Sequence, residues 1–178
     1  MYSNEERNEA IRYLERTRAG LIEAVVNLTE NQANFKPAPD AWSVAEIVEH
    51  LAIVEDRVIA RISQMLASAP SPSNAGIQDS DAVLFGKVVD RSKKFQAPDP
   101  IHPTGQPLAI SLERLTATRR IFDEFVWSVP SDFRQRSMPH PVLGPLDGHQ
   151  WLVALAGHCS RHTKQILENK AAPLFPER

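Results

Sequence analysis

Four long stretches of the chain carry apolar residues at three- and four-residue steps, and proline-rich segments separate them. This spacing matches the turn of an α-helix, and no stretch alternates apolar and polar residues as a half-buried strand does. The helices predicted from this spacing cover residues 4–28, 43–65, 108–129 and 147–170, and a weaker pattern predicts a short helix at 79–92. The chain is therefore predicted to be all-α, a four-helix bundle of the up-and-down type.

The segments between these helices are expected to be irregular, because proline lacks a backbone N–H and fixes φ. Pro37 and Pro39 break the chain after the first helix, and residues 69–76 are predicted to form a loop. Two long proline-rich connections, residues 69–107 and 130–146, follow the second and third helices. Their helix-breaking prolines include Pro98, Pro100, Pro103, Pro107, Pro139, Pro141 and Pro145. The length of 178 residues fits one domain, residues 1–178.

Two helix starts are marked by capping residues. Ser43 and Glu46 have the spacing of a capping box, in which each side chain accepts a backbone N–H of the other residue. Asp147 is a good N-cap for the last helix. The second and fourth helices are therefore predicted to begin at these positions.

Charge and composition exclude several classes of protein. The net charge of −2 and the absence of a basic run argue against nucleic-acid binding. No segment approaches the ~20 apolar residues of a membrane span, and the polar N-terminus does not resemble a signal peptide. Cys159 is the one cysteine, which agrees with a reducing compartment, and a cytoplasmic location is predicted. With seven glycines and no G-x-G-x-x-G or P-loop, a nucleotide-binding fold is not expected.

The most informative polar residues are three histidines. His158 and His162 are four residues apart on the last helix, within an apolar stripe formed by Trp151, Leu155 and Ile166. Two imidazoles one helical turn apart can bind one metal ion, and His50, at the border of the apolar stripe of the second helix, would complete a triangle. The alternative is three independent histidines, each hydrogen-bonded in the core, and periodicity alone leaves both interpretations open.

The pattern W-S-V-A-E-I-V-E-H-L at residues 42–51, followed by H-x-x-x-H-x-x-Q-I at residues 158–166, resembles the DinB-like (YfiT-like) superfamily. These proteins are metal-binding four-helix bundles, and the resemblance covers nearly the whole chain. It implies that His50, His158 and His162 are ligands of a divalent metal ion, often zinc or nickel, with water completing the coordination. It also implies a homodimer, because many members are dimeric.

Other metal motifs do not fit the sequence. A zincin requires H-E-x-x-H, but Cys159, not glutamate, follows His158. Di-iron bundles require E-x-x-H pairs. The residues three positions before the histidines are instead Ile47, Leu155 and Cys159.

Several further residues receive simpler interpretations. Cys159 points about 100° away from its neighbouring ligand and is expected to be a small buried apolar residue, with a reactive role as the alternative. Glu46 is expected to cap its helix, the alternative being a contact with the metal or its ligands. Trp42 is expected to pack where the Pro37–Pro39 loop meets the bundle.

The remaining histidines and two arginines are expected at the surface. His149 is predicted to be solvated at the start of the last helix, and His102 and His140 to lie in loops because each precedes a proline. Arg18 and Arg119 interrupt apolar stripes, and their heads are expected to reach water.

Three functions are compatible with this site. The favoured one, implied by the resemblance, is a thiol-dependent S-transferase or isomerase, in which a metal ion held by neutral imidazoles stabilises the thiolate of a low-molecular-weight thiol such as bacillithiol or mycothiol. The second is a metal-dependent hydrolase, with Glu46 or Glu124 as weak candidates for a base. The third is a non-enzymatic, stress-linked metal-binding dimer. In each enzyme, the connections 69–107 and 130–146 are expected to form the substrate pocket.

Overall fold

Four long helices form the body of the protein, in a computed structural model that describes residues 1–70, 79–93, 95, 97 and 99–177. These are α1 (Asn4–Val25), α3 (Val44–Ala67), α5 (Leu108–Ser128) and α6 (Gly148–Lys170), with the short helices α2 (Glu30–Asn34) and α4 (Asp81–Val89) between them. The other elements among the described residues are the strands β1 (Ser137–His140) and β2 (Gly144–Asp147) and the 3₁₀ turns Asp99–Ile101 and Phe133–Gln135. The predicted all-α four-helix bundle is thus confirmed.

The chain direction differs from the predicted up-and-down order. The helices α3 and α5 are parallel, because Glu49 near the start of α3 binds residues 104–106 just before α5, and Asp56 binds Arg114 and Thr118 further along. A connection of this length explains the difference. Residues 68–107 are numerous enough to run back along α3, which is about 36 Å long at 1.5 Å per residue.

The first and last long helices are also parallel to each other. Tyr2 lies against His149 at one end, and the side chain of Lys170 donates to the carbonyl of Ala24 at the other. Helix α6 is antiparallel to α3, because Asn169 near its end binds the carbonyl of Trp42 before α3. The middle of α6 therefore faces the first turns of α3.

Capping residues account for the helix starts. Ser43 with Glu46 and Asp147 with Gln150 form capping boxes, which confirms both predicted N-caps. The predicted first helix is too long at its end, because α1 stops at Val25 and Thr29 caps the separate helix α2. Asn27, with φ of 60°, makes the turn between them.

The short helix predicted at 79–92 is present as α4. Most of the loop predicted at 69–76 lies outside the described residues, since positions 71–76 fall there, and so does Pro98. None of the described helices has both the length and the apolar character that a membrane span requires.

The connection 130–146 was predicted to be a loop, but it contains a β-hairpin. Strand β1 pairs with β2 in antiparallel register, with Pro139 opposite Pro145. Both strands of a two-stranded ribbon are edge strands. A proline can therefore turn its nitrogen, which has no hydrogen to donate, away from the partner strand without the loss of an inter-strand hydrogen bond. The prolines that argued against a strand are thus compatible with this hairpin.

The buried apolar residues form two clusters along the bundle. One surrounds Phe122, Phe133 and Leu152 near the hairpin. The other surrounds Ile47, Leu51 and other residues near the first turns of α3, and it includes Cys159 and Ile166 of α6. The second cluster packs the helix faces that carry the histidines.

Candidate metal centre

The structure brings His50, His158 and His162 together between α3 and α6. The Nε2 atom of His158 lies 3.3 Å from Nε2 of His50 and 3.2 Å from Nε2 of His162. One ring nitrogen from each residue lies within 4.8 Å of the other two. The i, i+4 pair on α6 and the single histidine on α3 therefore point at one common position.

Hydrogen bonds on the far side of two rings fix their orientation. Nδ1 of His50 donates to the carbonyl oxygen of Ile101 at 2.8 Å, and Nδ1 of His162 donates to Oε1 of Gln165 at 2.9 Å. A neutral imidazole carries one proton, so both Nε2 atoms are unprotonated acceptors. Such an outer hydrogen bond is typical of metal-binding histidines.

The spacing of these nitrogens fits a metal ion. Zn–N bonds of about 2.0–2.1 Å at tetrahedral angles place two ligand nitrogens about 3.3–3.4 Å apart. The two separations observed, 3.2 and 3.3 Å, match that value. Converging lone pairs repel one another unless a proton or a cation lies between them. Imidazole donors suit zinc, nickel and similar divalent metals.

Burial keeps the three rings neutral. His50 and His162 are buried, and His158 is half-buried. Burial lowers the pKa of His162 to about 3, with a further contribution from His50. Burial also lowers the pKa of His158, assisted by the other two imidazoles, and that of His50. At neutral pH all three are uncharged, which is the form that binds metal.

Aromatic residues cover one side of the histidine cluster. The Trp42 ring centre lies 4.8 Å from that of His50 and is stacked on His162 at 6.3 Å. His102 contacts the same indole edge-on at 5.8 Å. Trp42 was expected to pack against the Pro37–Pro39 loop, and the structure places it as a wall of the candidate site. His102 is exposed, as predicted.

Glu49, the residue before His50, anchors the segment that orients this histidine. Its carboxylate is 3% exposed and accepts bonds from Thr104 N and Oγ1, Gly105 N and Gln106 N, at 2.6–2.9 Å. Burial alone would raise the pKa of Glu49, but these hydrogen bonds outweigh it and the pKa is lowered. The anchored segment lies three residues after Ile101, whose carbonyl holds His50. Sequence reasoning missed this role because nothing in the connection signals a partner for Glu49.

A Glu49→Gln variant is expected to weaken metal binding about 10- to 100-fold, the usual effect of disturbing the partners of a metal-binding histidine. The NH₂ group of glutamine is a donor, and it would face N–H donors where the carboxylate oxygen of Glu49 accepts. Residues 104–106 would therefore lose hydrogen bonds that hold them to α3. The measurement is a zinc titration of the apo-protein with a competing chelator. Glu113→Gln, at an exposed glutamate of α5, is the control. Equal affinities in the two variants would contradict the prediction.

Other candidate residues lie away from the cluster. The Glu46 carboxylate accepts from the backbone of Ser43 and pairs with Lys36, as a capping role predicts. Glu124 is exposed on α5. Cys159 is 1% exposed, and burial raises the pKa of its thiol although Arg119 donates to the sulfur at 3.1 Å. A buried thiol of raised pKa is a poor nucleophile.

Three sequence predictions about surface residues are wrong. His149 is fully buried against Tyr2 because α1 begins beside the start of α6. His140 is half-buried, packs on Trp151 and has a pKa lowered to about 4 by burial. Arg119 does not reach water, because it forms an ion pair with Glu55 inside the bundle.

The likeness to known proteins agrees with this fold. The family model of the DinB superfamily matches residues 13–166. YuaE of Bacillus subtilis strain 168, an uncharacterized protein, is 25% identical over 145 residues, which cover 80% of this chain and 86% of YuaE.

Two solved structures have a similar fold. YfiT from Bacillus subtilis, described as a probable metal-dependent hydrolase with an unusual four-helix bundle topology, superposes with a TM-score of 0.66 at 20% identity, over 94% of this chain and 87% of YfiT. TT2238, a four-helix bundle protein, superposes with a TM-score of 0.58 at 22% identity, over 91% of this chain and 98% of TT2238. At these identities the likeness concerns the fold.

Proposed function

Because this chain belongs to the DinB superfamily, we propose that its three converging histidines hold one catalytic divalent metal ion, zinc or nickel. The observation that carries the proposal is the convergence of three Nε2 atoms on one position, with two of the rings held from behind by Ile101 and Gln165. A core-packing role would not require one ring nitrogen from each of three histidines to face the same position. A metal ion at that position would bond to all three nitrogens.

The reaction we propose is S-transfer or isomerisation with a low-molecular-weight thiol. When bound, a metal ion with three neutral ligands keeps its full positive charge and stabilises a thiolate at neutral pH. The protein then needs no nucleophile of its own, which agrees with the buried thiol of Cys159. Trp42 would shield one side of the site from water.

Hydrolysis of an ester or amide is the second candidate, and one observation favours it. YfiT, which has a similar fold, is described as a probable metal-dependent hydrolase. A metal-activated water would be assisted by a carboxylate base. The histidine cluster includes no carboxylate among the described residues, and Glu46 and Glu49 are engaged in hydrogen bonds elsewhere. This arrangement supports the thiol reaction over hydrolysis.

Removal and return of the metal tests the proposal. The protein is stripped with a chelator, reloaded with one equivalent of zinc or nickel, and assayed with two probe reactions. One is conjugation of bacillithiol, mycothiol or glutathione to a chlorinated aromatic electrophile, and the other is hydrolysis of a p-nitrophenyl ester. We expect thiol conjugation that disappears with the metal and returns with it. The Cys159→Ala variant is the control and is expected to keep the wild-type rate.

The other outcomes separate the alternatives. Ester hydrolysis that depends on metal, without thiol conjugation, would replace S-transfer with the hydrolase. Hydrolysis that persists in the metal-free protein would count against the hydrolase. Stoichiometric metal with neither reaction would leave the non-enzymatic metal-binding protein as the interpretation.

A further inference from the structure

We propose that the chain has a second divalent-cation site, formed by Glu9 of α1, Asp81 of α4 and His149 of α6. One possible ligand atom from each of these residues lies within 4.8 Å of the others. His149 precedes His158 by nine residues, so the two sites are about 14 Å apart along α6. This proposal is independent of the reaction at the histidine cluster, since it shares none of its ligands.

The first argument is a buried nitrogen that the protein leaves unsatisfied. His149 is 0% exposed, and its Nε2 has no hydrogen-bond partner among the described residues. Asp81 Oδ2 is the nearby group, at 3.5 Å, which is long for a hydrogen bond. An unsatisfied buried polar atom costs about 1–3 kcal/mol, so a ligand at this position would remove a penalty.

The second argument is the orientation of the His149 ring. Nδ1 lies 2.9 Å from the hydroxyl of Tyr2, and the backbone oxygen of Glu6 lies 3.5 Å from that hydroxyl. In the tautomer with its proton on Nδ1, His149 donates to the Tyr2 hydroxyl and its Nε2 carries a lone pair. A lone pair and the Asp81 carboxylate then face each other. A cation between them satisfies both, and Tyr2 takes the place of the outer hydrogen-bond partner.

The third argument is the surrounding charge. Glu6, Asp81 and Asp147 all pair with Arg134, so three carboxylates share one guanidinium. Glu9 adds a further negative charge beside them. The carboxylates therefore outnumber the guanidinium. Arg134 keeps Glu6 and Asp147 as partners if Asp81 binds a cation instead. Glu9 and Asp81 are both half-buried, so the site opens to solvent on their side.

The donor set defines the chemical class of the ion. Two carboxylates and one imidazole suit Mn²⁺ or Zn²⁺, whereas three imidazoles favour zinc and nickel over manganese. Mn²⁺ is therefore the probe that discriminates between the two sites. Its binding is measured through the loss of the free-ion electron paramagnetic resonance signal.

The experiment uses the full chain with His162→Ala, which disables the histidine cluster. We expect about one equivalent of Mn²⁺ to bind to this variant, and at least ~10-fold weaker binding when Glu9→Gln is added, because one of the charged ligands is lost. Glu5→Gln, at an exposed glutamate on the same helix, is the matched control and should leave the affinity unchanged. Asp81→Asn provides an independent second test, and circular dichroism checks the folding of each variant.

The alternative outcomes overturn the proposal. If the His162→Ala protein binds no Mn²⁺ or Zn²⁺ at millimolar concentration, the second site does not exist. If Glu9→Gln and Glu5→Gln bind Mn²⁺ equally, any bound ion lies elsewhere on the acidic surface. Neither result bears on metal content at the histidine cluster, which is measured in the wild-type protein.

Discussion

Replacing His162 with alanine is expected to abolish stoichiometric zinc or nickel binding at the histidine cluster. The variant keeps two of three converging nitrogens and loses the ring that Gln165 holds in place. Changes to the outer partners of metal-binding histidines typically cost 10- to 100-fold in affinity, so loss of a ligand should cost at least ~100-fold. Elemental analysis of the purified protein should fall from about one equivalent to background, and metal-dependent turnover should fall with it.

The control is His102→Ala, because His102 is an exposed imidazole that contacts Trp42 and is outside the converging group. It should retain full metal content. A wild-type protein that stays metal-free after zinc or nickel is added would return the three histidines to a packing role. A His162→Ala protein that keeps its metal would move the site elsewhere.

Replacing Arg119 with methionine is expected to lower the free energy of unfolding by about 3–5 kcal/mol, the usual cost of leaving one partner of a buried ion pair alone. Glu55 is 1% exposed, and Arg119 Nε lies 3.0 Å from both of its carboxylate oxygens. Natural domains are stable by only about 5–15 kcal/mol, so this is a large fraction of the total. Urea denaturation monitored by circular dichroism measures the loss.

The matched control is Arg114→Met, on the same helix. Arg114 pairs with Asp56, but the two side chains are 49% and 37% exposed, and such pairs are worth about 0–1 kcal/mol. Burial already raises the pKa of Glu55 although Arg119 opposes it. Without Arg119 the folded-state pKa rises further, so the loss should shrink as the pH falls and the carboxyl is protonated. Equal losses in the two variants would contradict the prediction.

The helices were predictable because their signal is local. Apolar spacing and the capping residues Ser43 and Asp147 depend on neighbours within a few positions, and both helix starts are confirmed. Chain direction depends instead on where a long connection returns, and no local pattern encodes that. The β-hairpin was missed because its prolines predict irregular structure. Pro139 and Pro145 nevertheless pair in a ribbon that has only edge strands, where proline is tolerated.

The candidate site divides in the same way. His158 and His162 share a face through helical periodicity, and His50 borders the apolar stripe of its own helix, but periodicity alone left their convergence open. The roles of the Ile101 carbonyl and the Glu49 carboxylate could not be predicted from the sequence, because they depend on an irregular segment that folds back onto α3. The burial of Arg119 was also missed, since its partner Glu55 lies 64 positions away in the sequence.

The parallel arrangement of α1 and α6 has a consequence for how the protein is made. The first helix packs against the last, so its apolar face has no permanent cover until the final long helix has been synthesised. Contacts this distant in sequence carry a high loop-closure cost and slow the folding of small domains. The nascent chain would therefore spend most of its synthesis with α1 unpartnered, and His158 and His162 of α6 would join His50 only after the other long helices have been made.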